Sequence, residues 1–266
     1  MELVEFRSRY PARDVTADGL TWQAVEAPAA SEGVPCLLML PGTLGTAEIW
    51  WNQIAALAGS VRMLAVTYPV IDDAERLVDG LVALCRQRGI ARTSVIGSSL
   101  GGFLSQLFAA RHSDLTETLF IGNSLSDPDI ANVTGMDIAT LEALPAEEHR
   151  KFILASVDSW PEATPAVSAM KQVLYDSGRR LLTAEALKAR VLTLRKARAI
   201  PKLAIPDSRV VVIDAEDDPL IPRAVQDDVV RRYPGGEHQR LPFGGHYPYV
   251  VDPEPYTAIL RRRLLG

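Results

Sequence analysis

The chain has 266 residues, of which 47% are hydrophobic and 23% charged, values typical of a globular chain that can bury a substantial core. A formal net charge of -5 argues against nucleic acid as a partner, and two cysteines, Cys36 and Cys85, are too few for a disulfide framework or a cysteine-based zinc site. No signal peptide is recognisable and no apolar run reaches the length of a membrane span, so we expect a cytoplasmic protein.

Short apolar runs alternate with helical patterns along most of the chain. The sequence predicts strands at 36–40, 62–68, 93–97 and 116–121, and helices at 46–58, 72–88 and 100–111. After position 206 it predicts a strand at 209–214, a helix at 223–232, a short strand at 239–241 and a final helix. We expect Thr46 and Asp252 to cap the first and last of these helices. This alternation indicates an α/β fold with a mostly parallel sheet flanked by helices.

The alternation stops between positions 124 and 206. Helical patterns at 141–156, 166–175 and 184–197 follow one another there without a convincing strand. We interpret 124–206 as a helical cap inserted into a core made of 1–123 and 207–266.

The sequence Gly97-Ser98-Ser99-Leu100-Gly101 fits the G-x-S-x-G pattern of a nucleophile elbow. A β-branched run precedes it and a helical pattern follows, as the sharp strand-to-helix turn of an elbow requires. A helix start packed closely on the sheet would also use glycines. The context favours Ser99 as a nucleophile, with the neighbouring Ser98 pointing away.

A serine nucleophile needs a base whose pKa lies near the working pH, and histidine meets that need. His246 lies in a Gly-Gly-His-Tyr sequence directly after the last predicted strand. The other histidines are worse placed. His112 ends a helix, His149 is expected on a solvated helix face, and His238 lies in a polar stretch.

The base in turn needs a carboxylate that fixes its tautomer. Three aspartates compete for this role: Asp218 and Asp217 after the strand at 209–214, and Asp127 after the strand at 116–121. We favour Asp218 because the following Pro219 suits a rigid turn. A solvated acidic loop is the simpler alternative, and the spacing does not match a calcium-binding loop, so no metal is expected.

Acyl transfer also needs two backbone N–H groups aimed at the developing oxyanion. One is expected from Leu100, the residue after the nucleophile. The other is expected from the loop at 41–46, with Thr43 as the best candidate.

Four segments together, LPGTLGTAEIW, GSSLGGFLSQLFA, AEDDPLIP and GGHYPY, resemble the α/β-hydrolase superfamily and, within it, its maspardin-like branch. The resemblance implies the same fold, a triad of Ser99, Asp218 and His246, and no cofactor. Two positions depart from the usual pattern. Pro41 stands where His is usual in the oxyanion loop, and Ala215 stands where Gly usually precedes the acid loop.

These observations favour a serine hydrolase that acts on a small-molecule carboxylic ester or related acyl substrate. A peptidase or C–C bond hydrolase using the same three residues stays open. A non-catalytic interaction protein is the alternative that the maspardin-like branch implies, because its members are regarded as binding proteins and lack the histidine. This chain keeps His246. A haloalkane dehalogenase is disfavoured because position 99 is not aspartate.

Overall fold

The computed structural model describes residues 1–31, 33–130 and 135–266. Its strands are Arg13–Ala17 (β1), Leu20–Ala27 (β2), Cys36–Leu40 (β3), Arg62–Thr67 (β4), Thr93–Ser98 (β5), Thr116–Gly122 (β6), Val210–Ala215 (β7) and Glu237–Leu241 (β8). Within these residues they form one eight-stranded sheet in the order β1-β2-β4-β3-β5-β6-β7-β8. The six strands from β4 to β8 in that order are parallel, and β2 pairs antiparallel with β1 and β4. The predicted fold class is therefore confirmed.

Helices cover both faces of the sheet, which explains why most of its central parallel strands are apolar and buried. The edge strand β8, Glu237–Leu241, is mostly polar and half-buried. One face packs against Leu3–Arg9 (α1), Trp51–Leu57 (α2) and a C-terminal helix, and the other against Ala74–Gln87 (α3) and Leu100–Arg111 (α4). Successive β3 side chains alternate between the two cores: Leu37 and Met39 join the first, Leu38 and Leu40 the second.

The antiparallel edge of the sheet is an element that our sequence interpretation missed. Strands β1 and β2 form a hairpin around Asp18 and Gly19, whose φ angles of 52° and 71° are both positive. Asp-Gly is a strong signal for the turn type that matches the twist of two paired strands. That dipeptide, together with the alternation of apolar and polar residues from Leu20 to Ala24, was the available clue.

Between β6 and β7 the chain is helical, as expected. The helices are Ile138–Ala143 (α5), Ala146–Ser159 (α6), Pro165–Asp176 (α7) and Ala184–Lys196 (α8). The prediction of one helix over 141–156 was wrong. Pro145 forces Leu144 into extended backbone, with ψ 136°, and a new helix begins after it. Positions 131–134 of the predicted cap lie outside the described residues, and the cap boundaries stay a prediction.

The last part of the chain contributes Arg223–Arg232 (α9), Pro248–Val251 (α10) and Pro253–Leu265 (α11). Thr46 and Asp252 occupy the predicted N-cap positions, of the short helix Ala47–Trp50 and of α11. Within the described residues, neither side chain makes a capping hydrogen bond. The backbone N–H of Ala47 donates to the Thr67 hydroxyl. Pro253 occupies the first position of α11, where the N–H that proline lacks has no partner within the helix in any case. Among the described residues, no helix is both long and apolar enough to cross a membrane.

Candidate active site

The turn between β5 and α4 has the geometry of a nucleophile elbow. Ser99 adopts φ 55° and ψ -120°, a combination that costs a non-glycine residue about 1–3 kcal/mol. A Cβ at Gly97 would lie 1.9 Å from the carbonyl oxygen of Gly101, and one at Gly101 would lie 2.1 Å from that of Leu40. Both positions therefore require glycine, and the sharp turn they permit holds the strained serine at the carboxyl end of β5.

The two adjacent serines have different surroundings. Ser99 lines a pocket with His246, while the Ser98 hydroxyl is buried in the protein outside that pocket. The structure thus places Ser98 as the sequence predicted. The Ser99 hydroxyl has no hydrogen-bond partner among the described residues.

His246 and Asp218 form a buried pair behind the pocket. Nδ1 of His246 lies 2.9 Å from Oδ2 and 3.1 Å from Oδ1 of Asp218, and the two side chains are 1% and 0% exposed. Because an ionised carboxylate can only accept, Nδ1 carries the proton and Nε2 of His246 is left as the acceptor. This is the tautomer that a general base needs.

The charge on Asp218 is well supported. Burial acts to raise its pKa, but the neighbouring His246 and hydrogen bonds from His246, Asn123 and the Ile221 N–H outweigh burial and hold the pKa below its ordinary value. The Leu220 N–H also donates to Oδ1, at 2.8 Å. Asp218 is therefore a fixed carboxylate rather than a solvated one.

The competing aspartates have other partners. Asp217 accepts from the backbone N–H groups of Gly244 and Gly245, at 3.3 and 2.8 Å, so it holds the histidine loop by its backbone. Asp127 accepts from the N–H of Asp129 in its own loop. Of the three candidates, the structure brings Asp218 alone into hydrogen-bond contact with the imidazole of His246.

Asn123 is a residue of this site that sequence reasoning missed. It directly follows β6 with a φ of 38°, and its Nδ2 donates to Oδ2 of Asp218 at 2.7 Å and to the carbonyl oxygen of Gly245 at 3.1 Å. One amide thus ties the acid loop to the histidine loop. A polar side chain at the carboxyl end of a central parallel strand was the available signal.

The loop after β3 lies directly against the nucleophile. A Cβ at Gly42 would lie 3.3 Å from that of Ser99, and the next residue, Thr43, lines the pocket. Leu100 is the first residue of α4, so its N–H has no acceptor within the helix. Pro41, in place of the usual histidine, accepts a hydrogen bond from the Tyr68 hydroxyl at 2.8 Å through its carbonyl oxygen.

The pocket shared by Ser99, His246 and Thr43 has a volume of about 550 Å³. Most of its lining is apolar and comes from helices α5, α6 and α8 and from loops at the strand ends: Leu44, Leu125, Leu141, Leu144, Phe152, Ile153, Val157, Trp160, Val191, Leu194, Leu220 and Ile221. A second cavity, of about 650 Å³, is lined by residues of the N-terminal segment and the β1–β2 edge and includes none of the candidate residues. The first cavity is the one where chemistry and space coincide.

His149 corrects one sequence expectation. It was predicted on a solvated helix face, but it is 4% exposed, and its Nε2 lies 2.8 Å from the carbonyl oxygen of Leu141. The break at Pro145 lets the carbonyl group of Leu141 in α5 approach His149 in the first turns of α6, so His149 is covered. The other two histidines lie outside the pocket: His112 follows α4, and His238 pairs with Asp214.

Comparisons with known proteins agree with this architecture. A family model described as "Alpha/beta hydrolase family" matches residues 19–259. Maspardin from Mus musculus is 28% identical over 266 residues, covering 98% of this chain and 85% of that protein. An enol-lactonase from Burkholderia xenovorans LB400 superposes with a TM-score of 0.77 at 17% identity, covering 96% of this chain and 100% of that chain. A thermophilic esterase from Thermogutta terrifontis superposes with a TM-score of 0.76 at 19% identity, covering 94% and 97%.

Proposed function

Since the chain belongs to the alpha/beta hydrolase family, we propose that it is a serine hydrolase that cleaves a carboxylic ester or related acyl compound through an acyl-enzyme. One observation carries the proposal. A strained serine and a histidine line the same pocket, and that histidine is hydrogen-bonded to a buried, ionised aspartate. A serine, a base and an oriented carboxylate are the three parts that nucleophilic acyl transfer requires.

The proposed reaction has two steps. Ser99 Oγ attacks the acyl carbon while Nε2 of His246 takes its proton, and Asp218 stabilises the imidazolium that forms. The N–H groups of Leu100 and Thr43 bind the oxyanion. Collapse of the tetrahedral intermediate expels the leaving group, which takes the proton from His246. Water then attacks the acyl-enzyme with His246 again acting as base, which releases the acid and restores Ser99.

The lining of the pocket supports an apolar acyl or aromatic group on a small-molecule substrate. Helices α5, α6 and α8 supply much of that lining, so the segment 124–206 is proposed to act as a helical cap that shapes substrate choice. No cofactor takes part in this mechanism.

The near full-length similarity to maspardin favours a second candidate, a non-catalytic interaction protein that keeps the hydrolase fold. A scaffold has no need for a buried His246–Asp218 pair beside a strained Ser99, and each of these features has an energetic cost. We therefore place the hydrolase first.

A substrate panel tests the proposal. Purified protein is assayed with p-nitrophenyl esters of varied acyl length, together with thioester, amide and C–C cleavage substrates, since the same three residues can serve each of these reactions. We expect turnover of at least one apolar ester, lost in Ser99→Ala and kept in the matched Ser98→Ala. Hydrolysis that survives in Ser99→Ala, or a folded wild type that cleaves nothing in the panel, would contradict the proposal.

A further inference from the structure

A buried arginine lies beside the proposed oxyanion loop. Arg190, on α8, is 1% exposed, and its Nη1 donates to the carbonyl oxygens of Thr43 at 2.9 Å and Gly45 at 2.6 Å. Its guanidinium carbon lies 5.1 Å from the centre of the Tyr68 ring. Among the residues that the structure describes, no carboxylate forms an ion pair with it. Burial lowers its pKa to about 10, against the opposing influence of Tyr68 and Tyr247, so it stays charged at neutral pH.

Such an arrangement is costly for stability alone. Burying a cation without a counter-ion carries a large desolvation penalty. The Nε and Nη2 atoms of Arg190 are also buried, and neither has a hydrogen-bond partner in the part of the chain that the structure describes. A buried polar group that is only partly satisfied calls for an explanation other than packing.

The hydrogen bonds of Arg190 help to fix the backbone conformation of the loop after β3. With Tyr68, which donates to Pro41, it binds three alternate carbonyl groups, those of Pro41, Thr43 and Gly45. The Gly42 carbonyl accepts from the Gly45 N–H at 3.0 Å and so closes the turn. Tyr68 and Arg190 therefore bind every second carbonyl of the backbone from Pro41 to Gly45. The hydrogen bond between Gly42 and Gly45 fixes the turn between them.

These bonds set the direction of two free N–H groups. In a trans peptide the C=O and N–H point in opposite directions, so the bond to the Thr43 carbonyl directs the Leu44 N–H away from Arg190. In the same way, the hydrogen bond from the Gly45 N–H to the Gly42 carbonyl directs the Thr43 N–H, which belongs to the same peptide as that carbonyl, away from the Gly45 N–H. Neither N–H has a hydrogen-bond partner among the described residues, and both residues line the pocket with Ser99.

We propose that Arg190 is a positioning residue, which holds the loop after β3 so that the N–H groups of Thr43 and Leu44 face the oxyanion of the reacting substrate. The inference rests on the proposed hydrolase function. It adds Leu44 as an oxyanion donor and makes the helical insertion part of the oxyanion site. Arginine suits this role because one nitrogen of its guanidinium binds two carbonyls while the delocalised, weakly hydrated cation lies 5.1 Å from the centre of the Tyr68 ring.

The position of the loop is tested without any substrate. Hydrogen exchange is measured by mass spectrometry on peptides covering 41–47 in wild type, Arg190→Met, Arg190→Lys and Arg7→Met. Arg7 is a matched control because it also joins the insertion to the core, through Glu48 and Asp176, but binds no carbonyl of the loop. We expect exchange at least about tenfold faster in Arg190→Met, an intermediate rate in Arg190→Lys and no change in Arg7→Met. Unchanged exchange in Arg190→Met would overturn the inference.

The catalytic consequence is tested with the best ester and with a boronic acid that mimics the tetrahedral intermediate. We expect Arg190→Met to lower kcat and boronic acid affinity by on the order of 10², the size associated with losing an oxyanion donor, while KM changes less than about threefold. Arg190→Lys should recover part of the loss.

A rise in KM alone, or losses equal to those of Arg7→Met, would show a merely structural role. If Arg190→Met does not fold, Arg190→Lys decides by the same criteria. A wild type without activity would refute the proposed hydrolase, whereas the exchange result would still decide whether Arg190 holds the loop.

Discussion

The two sides of the candidate site are built in different ways. The acid–base side takes Asn123, Asp217, Asp218 and His246 from loops that follow the neighbouring strands β6, β7 and β8, and side chains bind them to one another. The side proposed to bind the oxyanion is a backbone loop whose carbonyls are bound by Tyr68 and by Arg190 on α8. The hydrogen bonds that orient the proposed base therefore come from loops of the sheet, although the Trp160 ring of the insertion packs against His246 with the ring centres 6.2 Å apart. The loop after β3 receives hydrogen bonds from the insertion itself. Substitution of Arg190 should accordingly weaken binding of the transition state and leave the His246–Asp218 pair intact.

The largest expected effect belongs to the acid. Asp218→Asn replaces the carboxylate that accepts from Nδ1 of His246, and the amide favours the wrong tautomer of the ring. We expect kcat to fall by on the order of 10⁴ in steady-state assays while the circular dichroism spectrum is unchanged. A loss below about tenfold would mean that another group orients the base.

Substitution of Asn123 should have the second largest effect, because this residue contacts Asp218 and the histidine loop but does not line the pocket that contains Ser99. Asn123→Ala leaves one carboxylate oxygen short of a donor, and we expect a loss of about 10- to 100-fold in kcat together with about 1–3 kcal/mol of unfolding free energy. Kinetics and urea denaturation measure the two quantities. Asn52→Ala, in the half-buried part of α2, is the control and should change neither. An Asn123→Ala enzyme with wild-type kcat would remove this residue from the acid–base side.

The neighbouring acid should matter less. Asp217 holds Gly244 and Gly245 by their N–H groups, and an asparagine at that position keeps an oxygen acceptor. We expect Asp217→Asn to lower kcat less than about tenfold and Asp127→Asn less still, since neither loses a hydrogen bond to the imidazole. If Asp127→Asn were instead the crippling change, the acid would follow β6 and the assignment of Asp218 would be wrong.

The smallest expected effect is on stability at low pH. The pKa of Asp218 is lower in the folded protein than its ordinary value, so its ionised form stabilises the fold above the unfolded pKa of about 3.9 and this contribution is lost as pH falls through the lower folded value. Thermal unfolding of wild type and Asp218→Asn should therefore differ most above about pH 5 and converge in more acidic solution. If the difference in unfolding temperature between the two proteins grew on acidification, folding would raise the pKa of Asp218 instead of lowering it.

The sequence predicted most of the acid–base side, because Asp218 follows a recognisable apolar strand and His246 follows a Gly-Gly pair. The motif around Ser99 and the Gly-Gly-His sequence specify local backbone geometry, and the structure brings Ser99 and His246 to one pocket with Asp218 behind them. Their catalytic roles stay predictions. Asn123 escaped notice because an asparagine after a strand is also a common turn residue.

The oxyanion side was less predictable, for a physical reason. Arg190 stands three residues after Leu187 and four before Leu194, on the same face of its helix, but a single arginine among apolar residues carries no sequence signal of what it binds. Its partners are backbone carbonyls of Thr43 and Gly45, about 145 positions away along the chain, and backbone groups leave no mark on a sequence pattern. The burial of His149 was missed similarly, because it depends on how α5 folds back at Pro145.

The central claim is that Ser99 is a nucleophile activated by His246. The most direct measurement is to treat the protein with a fluorophosphonate probe and locate the adduct by mass spectrometry of its peptides. The account predicts a covalent adduct on Ser99 of the wild type and of Ser98→Ala, and none in His246→Asn, because the hydroxyl then lacks its base. A folded wild type that never forms the adduct, or an adduct on Ser98, would contradict it.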